Sequence, residues 1–251
     1  MIAASVGFQC PDDVRAGART VREPRTILGG RVRADTARVS MVLAGLNVGV
    51  FLLGLAGLVP GLALDYGNLA LAAGPDGLIG VAAGQYYRLL TAAFLHAGTF
   101  HLLSNMFALV TIGPALEQAL GRARYLALYL VSALGGSTLS YLVSEQGTLG
   151  VGASGAVFGL FGAYYVVVRR VGGDTGSIVT LLVINLVITF AVPIIDWRAH
   201  LGGLLTGAAV AAAFAYAPRE GRRTLLQAGA LAVVVALLLV AVSLRTGQLL
   251  G

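Results

Sequence analysis

Long apolar stretches free of charge fill most of the chain, and the arginines sit in the short segments between them. A helix that crosses a hydrocarbon core needs roughly 17 to 25 residues. Stretches of about this length run at about 40–59, 101–116, 125–143, 154–168, 178–195, 199–217 and 225–244. The pattern therefore predicts an all-α, polytopic membrane protein with seven spans between residues 40 and 245. Residues 1–39 hold seven Arg and no long apolar run, so they read as a polar tail and not as a cleaved signal peptide. Residues 246–251 make a short tail at the other end. Residues 60–88 are too long for a tight connection and too apolar for a solvated loop, which predicts an interfacial segment anchored by Tyr86 and Tyr87.

Composition agrees with this division. The 251 residues are 57% hydrophobic and 11% charged, against about 25% charged in soluble proteins, which excludes a soluble globular chain and a disordered one. All seventeen basic residues are Arg, against eleven acids, for a net charge of +6. A chain with Arg and no Lys has the composition of a GC-rich, bacterial source. With the N-terminus placed in the cytoplasm, fourteen of the seventeen Arg fall in the tail and the inner loops, as the positive-inside rule requires. The inner side then carries +7 and the outer side −1. The charge thus marks orientation in a cell membrane and not a nucleic-acid surface. Cys10 stands alone, which leaves no disulfide framework and no Cys-based metal site.

In this topology the second, fourth and sixth spans begin at the outer face, and the candidate chemistry lies at those three beginnings. His96, His101 and Asn105 open the second, Ser154 the fourth and His200 the sixth. From Ser154 to Arg169 a helix rises about 22 Å, which puts Ser154 roughly 8 Å below the surface of a core about 30 Å thick. Gly155, Gly159 and Ala163 recur every four residues on the fourth span, as do Ala199, Gly203, Gly207 and Ala211 on the sixth. Such stripes let helix backbones approach closely in lipid. If the two stripes face each other, Ser154 and His200 come within reach, as a base-activated nucleophile requires.

Each residue also has a plainer reading. Gly152-Ala153-Ser154-Gly155 is common in Gly-rich membrane helices, and His200 fits a packed or interfacial histidine. His101 and Asn105, four apart, share a helix face and can aim donors at one point or bond a neighbouring helix. His96 and His101 are five apart and do not share a face, so a metal site is not expected. Asp196 reads as a solvated loop charge, which leaves a Ser–His dyad and no triad acid. Glu117 reads as an anchor for an inner turn and Asn185 as helix glue.

Taken together these residues resemble the rhomboid family of intramembrane serine proteases. The resemblance covers residues 40 to 245 and rests on Tyr87-Arg88, His96, His101-Leu102-Leu103-Ser104-Asn105, Gly152-Ala153-Ser154-Gly155 and Ala199-His200-Leu201-Gly202-Gly203 with Gly207. The seventh span matches the six-plus-one form of the family. The resemblance implies that Ser154 attacks and His200 acts as base, and that the Ser154 N–H, His101 and Asn105 hold the oxyanion. His96, Gly152, Gly155 and Phe158 would support the site. It also implies transmembrane protein substrates cut near the outer face, within the bilayer and without metal or cofactor. Tyr87 stands where the family often has Trp. Phe158 stands where many members have a Tyr packed on the catalytic His, which keeps the packing and loses the hydroxyl. Phe8-Gln9-Cys10-Pro11-Asp12-Asp13-Val14 resembles the end of a zinc ribbon, but with Asp13 at the second Cys position it cannot form a structural zinc site. The tail is therefore expected to hold a degenerate remnant of that ribbon. Two other readings remain at this point, an inert rhomboid-like protein that binds membrane clients and a small-solute transporter.

Overall fold

The computed structural model of the chain describes residues 2–3, 7–20, 25–30, 37–218 and 221–251. The tail holds the short antiparallel pair β1 (Ile2–Ala3) and β2 (Phe8–Gln9) and helix α1 (Pro11–Thr20), with Cys10 exposed between them. The first long helix, α2 (Arg38–Leu55), leads into α3 (Leu62–Tyr66), β3 (Asn68–Leu69) and the hairpin β4 (Ala72–Gly74) and β5 (Gly77–Ile79). Helix α4 (Arg88–Thr91) continues into a 3-10 turn at Ala92–Phe94. Then come α5 (Thr99–Leu120), α6 (Arg122–Val143), β6 (Leu149–Gly150), α7 (Ser154–Arg170), α8 (Gly176–Ala191), α9 (Trp197–Tyr216) and α10 (Arg223–Leu250).

Seven long helices thus stand on the seven apolar stretches. Among the described residues five of them, α2, α5, α6, α9 and α10, are long and apolar enough to cross a bilayer, whereas α7 has 17 residues and α8 has 16. The shorter α7 is the most enclosed: Gly155 through Ala163 are all buried, between α6, α9 and α5. The outer helices show apolar side chains, such as Val183 and Val187 on α8 and Leu237 and Val240 on α10, on their exposed faces. A surface of this extent is not seen on soluble monomers and suits contact with lipid.

The helix ends differ from the charge-free stretches for local reasons. Helix α2 ends at Leu55 because Gly57, at φ 68°, reverses the chain, with Gly57 N–H on the Gly54 carbonyl and Leu58 N–H on that of Leu53. This is a Schellman closure. Helix α8 ends at Ala191 because Pro193 follows and forces Val192 into the extended region (φ −108°, ψ 106°). Helix α5 runs past residue 116 because Glu117 is no boundary charge. It is buried and accepts the N–H groups of Val39 and Ser40, both at 3.0 Å, and the Ser40 hydroxyl at 3.1 Å. The two N–H groups are orphan donors of the first turn of α2, so Glu117 caps a neighbouring helix, and it also pairs with Arg122 Nε at 3.7 Å across the turn between α5 and α6.

Residues 25–30 of the tail pack against the same end of the bundle. Leu28 is buried, its carbonyl accepts from the Gln227 amide at 3.2 Å, and Gly30 lies against the Leu120 carbonyl and Gly121. Gln227 also donates to the Phe214 carbonyl (2.9 Å) and accepts from Arg124 Nε (2.8 Å), so one side chain joins the tail, α6, α9 and α10.

Candidate active site

Helices α7 and α9 meet through the two small-residue stripes. A Cβ on Gly203 would fall on the Gly155 backbone and one on Gly207 on the Gly159 backbone, while a Cβ on Gly155 would lie 3.2 Å from the Ala199 carbonyl and 3.4 Å from Gly136 Cα. Helix α6 completes the contact, with Gly135 against Thr206 and Ser132 against Gly159. Lipid offers no hydrophobic drive for helix association, so close backbone packing of this kind holds the three helices together. It also fixes the register between the first turns of α7 and α9, where the candidate residues sit.

Ser154 is the first residue of α7 and is half-buried. The strand before it is pinned on both sides, by β6 pairing with β3 (Asn68 opposite Gly150) and by the Gly152 N–H donating to the Ala92 carbonyl at 2.9 Å. Gly152 has φ 138°, and a Cβ there would lie 2.7 Å from His101 Nε2 and 3.6 Å from Ser154 Oγ. No side chain other than hydrogen therefore fits between the His101 imidazole and the Ser154 hydroxyl. The backbone conformation at Gly152 points to the same residue type.

His200 lies in the first turn of α9, buried, with its ring stacked on Phe158 at 4.0 Å between centroids and 18° between planes. Phe158 follows Ser154 by one helical turn on the same face of α7, so the stack holds the imidazole against the side of α7 that carries Ser154. The Nδ1 atom of His200 is 2.7 Å from Thr189 Oγ1 on α8. Asp196, which the sequence suggested was a solvated loop charge, is instead the N-cap of α9. It accepts the N–H groups of Arg198 (3.1 Å) and Ala199 (3.3 Å) and the Ser140 hydroxyl (2.5 Å). It holds the start of the helix that carries His200, while Thr189 takes the position a triad acid would fill.

Asn105 is buried and its Nδ2 donates to the His101 carbonyl at 2.9 Å, which fixes its amide on the face it shares with His101. His96 meets the His101 ring edge-on at 5.1 Å. Both of its ring nitrogens are buried without a hydrogen-bond partner among the described residues, and it lines a cavity of about 720 Å³ with Phe51, Leu62 and Leu95. The structure thus gathers Ser154, His101, Gly152, His200, Phe158 and Gly155 at one end of the bundle. His96 touches that group through His101.

Tyr87 and Arg88 shape the surrounding segment. Arg88 is buried and donates to the carbonyls of Leu64 (2.5 Å) and Gly67 (3.0 Å) and to Gln85 Oε1 (2.7 Å), while the Tyr87 hydroxyl donates to the Asp65 carbonyl at 3.2 Å. Residues 60–88, expected as an interfacial stretch anchored by Tyr86 and Tyr87, contain α3 and the β4–β5 hairpin, and the Arg88 and Tyr87 bonds fasten the end of α3.

Thr189 is the residue the sequence reading missed. Its place near the end of the fifth predicted span did not separate it from any other helix hydroxyl. Asn185, read as helix glue, turns its amide back onto the Leu181 carbonyl of its own helix (2.9 Å).

Residues 83–217 match the Rhomboid domain family. The chain belongs to the rhomboid family. Among similar proteins, YdcA of Bacillus subtilis is 40% identical over 134 residues, 51% of this chain and 67% of its own. RHOMBOID-like protein 5 of Arabidopsis thaliana is 40% identical over 135 residues, 51% of this chain and 43% of its own. Rhomboid protease GluP of Bacillus subtilis is 38% identical over 149 residues, 56% of this chain and 28% of its own. The chain thus spans about two thirds of YdcA and less than half of the other two. The rhomboid match contains every candidate site residue and Thr189, and leaves out α2, α3 and α10. This rhomboid is a multi-pass membrane protein.

Proposed function

We propose that this rhomboid is an intramembrane serine endopeptidase that cleaves transmembrane protein substrates near the outer face of the membrane through a Ser154–His200 dyad. The observation that carries the reading is the Phe158–His200 stack one turn after Ser154, together with the glycine register that fixes α7 against α9. The resemblance to proteins named rhomboid proteases supports it further.

The Ser154 hydroxyl gives its proton to His200 Nε2 as Oγ bonds the scissile carbonyl carbon. The carbonyl oxygen takes up the negative charge and meets the Ser154 backbone N–H, His101 and Asn105. Collapse of this adduct breaks the C–N bond, and the proton on His200 goes to the leaving amine. Water then repeats the sequence on the acyl-enzyme, with His200 as base, and releases the carboxylic acid and Ser154. Preorganised donors are worth most here, about 3 kcal/mol each. The chemistry calls on no metal or cofactor.

The placement follows from charge. With the Arg-rich tail in the cytoplasm, the Ser154 end faces outward, and a cavity must admit water to it.

Detergent-solubilised protein treated with a fluorophosphonate tests the reading. Labelling is expected for the wild type and not for Ser154→Ala or His200→Ala. Equal labelling of all three, or none of the wild type, overturns the reading and favours an inert client-binding rhomboid.

A further inference from the structure

We infer that Thr189 on α8 is a positioning residue that sets the tautomer of His200, a step that rests on the dyad reading above. Thr189 Oγ1 is 2.7 Å from His200 Nδ1 and 2.7 Å from the Asn185 carbonyl oxygen. A hydroxyl has one proton, and a carbonyl oxygen can only accept, so the Thr189 proton is committed to Asn185. Toward His200, Thr189 then acts as acceptor, and Nδ1 must carry the hydrogen. The remaining nitrogen, Nε2, keeps a free lone pair, which is the state a general base needs. Free histidine in water prefers the opposite tautomer, with the proton on Nε2, which cannot take a proton from serine. Which nitrogen is protonated is set by the hydrogen bond the other makes.

The placement of Thr189 argues that this contact is not incidental. Along α8 the neighbours Val187, Ile188 and Phe190 are 62%, 48% and 63% exposed, whereas Thr189 is 3% exposed. Ile178 at the far end of α8 is the other buried residue of the helix. Leu182 and Leu186 pack against the core and the Phe190 ring meets Trp197 at 5.8 Å, so at the end beside the site apolar packing holds α8 in place while Thr189 makes the polar contact to the base. Asp196 is occupied at the N-cap of α9 by Arg198, Ala199 and Ser140, so the role of a third group falls to a neutral hydroxyl. It follows that α8 lying against α9 favours the base-competent tautomer of His200.

The test uses the full-length protein in detergent, with a fluorophosphonate as probe and ¹⁵N-histidine NMR as a readout independent of reactivity. The wild type is expected to show a protonated Nδ1 and an unprotonated Nε2 at His200, assigned by comparison with His200→Ala. Thr189→Val, which keeps the shape and removes the hydroxyl, should lower the limiting rate of labelling about tenfold, the value of one neutral hydrogen bond, with half-saturation unchanged. Thr189→Ser should restore both the rate and the NMR signature. A wild-type His200 protonated on Nε2 overturns the inference, as does Thr189→Val labelling at the wild-type rate. A wild type that does not label at all overturns the dyad reading instead.

Discussion

Phe158 and His200 lie face to face, 4.0 Å between ring centroids and 18° between planes. The stack leaves the imidazole little freedom to rotate about its side-chain bonds. Phe158→Leu keeps most of the apolar volume and removes the flat face. Aromatic pairing is worth about 0.5–1.5 kcal/mol beyond area burial, so fluorophosphonate labelling is expected to slow by about 2- to 10-fold. Thermal unfolding should change much less than labelling. An unchanged labelling rate would show that the stack does not orient the base.

That Ser154, His200 and His101 lie at one end of the bundle was legible in the sequence because polar groups are few in so apolar a chain and alternate spans run in opposite directions. The facing stripes were legible because period-four small residues leave helices little else to do in lipid. Thr189 was not legible, because a hydroxyl in a helix commonly bonds its own i−4 carbonyl and nothing in the pattern separates it from that ordinary use. Glu117 and Asp196 each cap a helix start that the sequence did not reveal, for a shared reason. Each is a charge near a helix end, and sequence alone does not say whether a carboxylate meets water or the backbone N–H groups of a helix. The docking of residues 25–30 depends on Gln227 and on the space at Gly30, nearly two hundred residues apart, and no local periodicity records it.

Gly203 and Gly229 are both helical glycines in span positions, but their surroundings are opposite. A Cβ at Gly203 would strike the Gly155 backbone, whereas at Gly229 nothing lies within 4 Å. Gly203→Ala should destabilise the protein by about 1–3 kcal/mol, the range for overpacking, and reduce labelling because α7 and α9 lose register. Gly229→Ala should leave labelling intact and raise stability by up to about 1 kcal/mol, the helix-propensity difference. Thermal unfolding in detergent separates the two. Equal melting temperatures for both variants would argue against the close α7–α9 contact.

Glu117 holds the start of α2 through three donors. Glu117→Ala strands these donors in a buried place, at a cost of about 1.5–3 kcal/mol for a bond to a charged group. The loss should appear locally, as faster amide hydrogen exchange at Val39 and Ser40 with little change in α7. Unchanged exchange at those two amides would remove the cap from the account of α2.

The arginine distribution predicts a cytoplasmic N-terminus. A tag fused before Met1 should resist externally added protease in intact cells and be digested once the membrane is permeabilised. Digestion in intact cells would place the Ser154 end in the cytoplasm and reverse every loop.

Gln227 is the last test, because it joins segments far from Ser154. Its amide holds the carbonyls of Leu28 and Phe214, and its oxygen takes Arg124 Nε. Removing the side chain with Gln227→Ala unfastens residues 25–30 from the bundle while the α7–α9 contact is untouched. Buried hydrogen bonds of this kind are worth about 1 kcal/mol each, so the segment should open several-fold more often. Limited trypsinolysis after Arg25, followed by mass spectrometry of the solubilised protein, reads that opening directly. Faster cleavage with unaltered fluorophosphonate labelling is expected. Slower labelling in step with faster cleavage would mean that the clasp at this end also governs the site at the other, and the two ends could no longer be treated as independent.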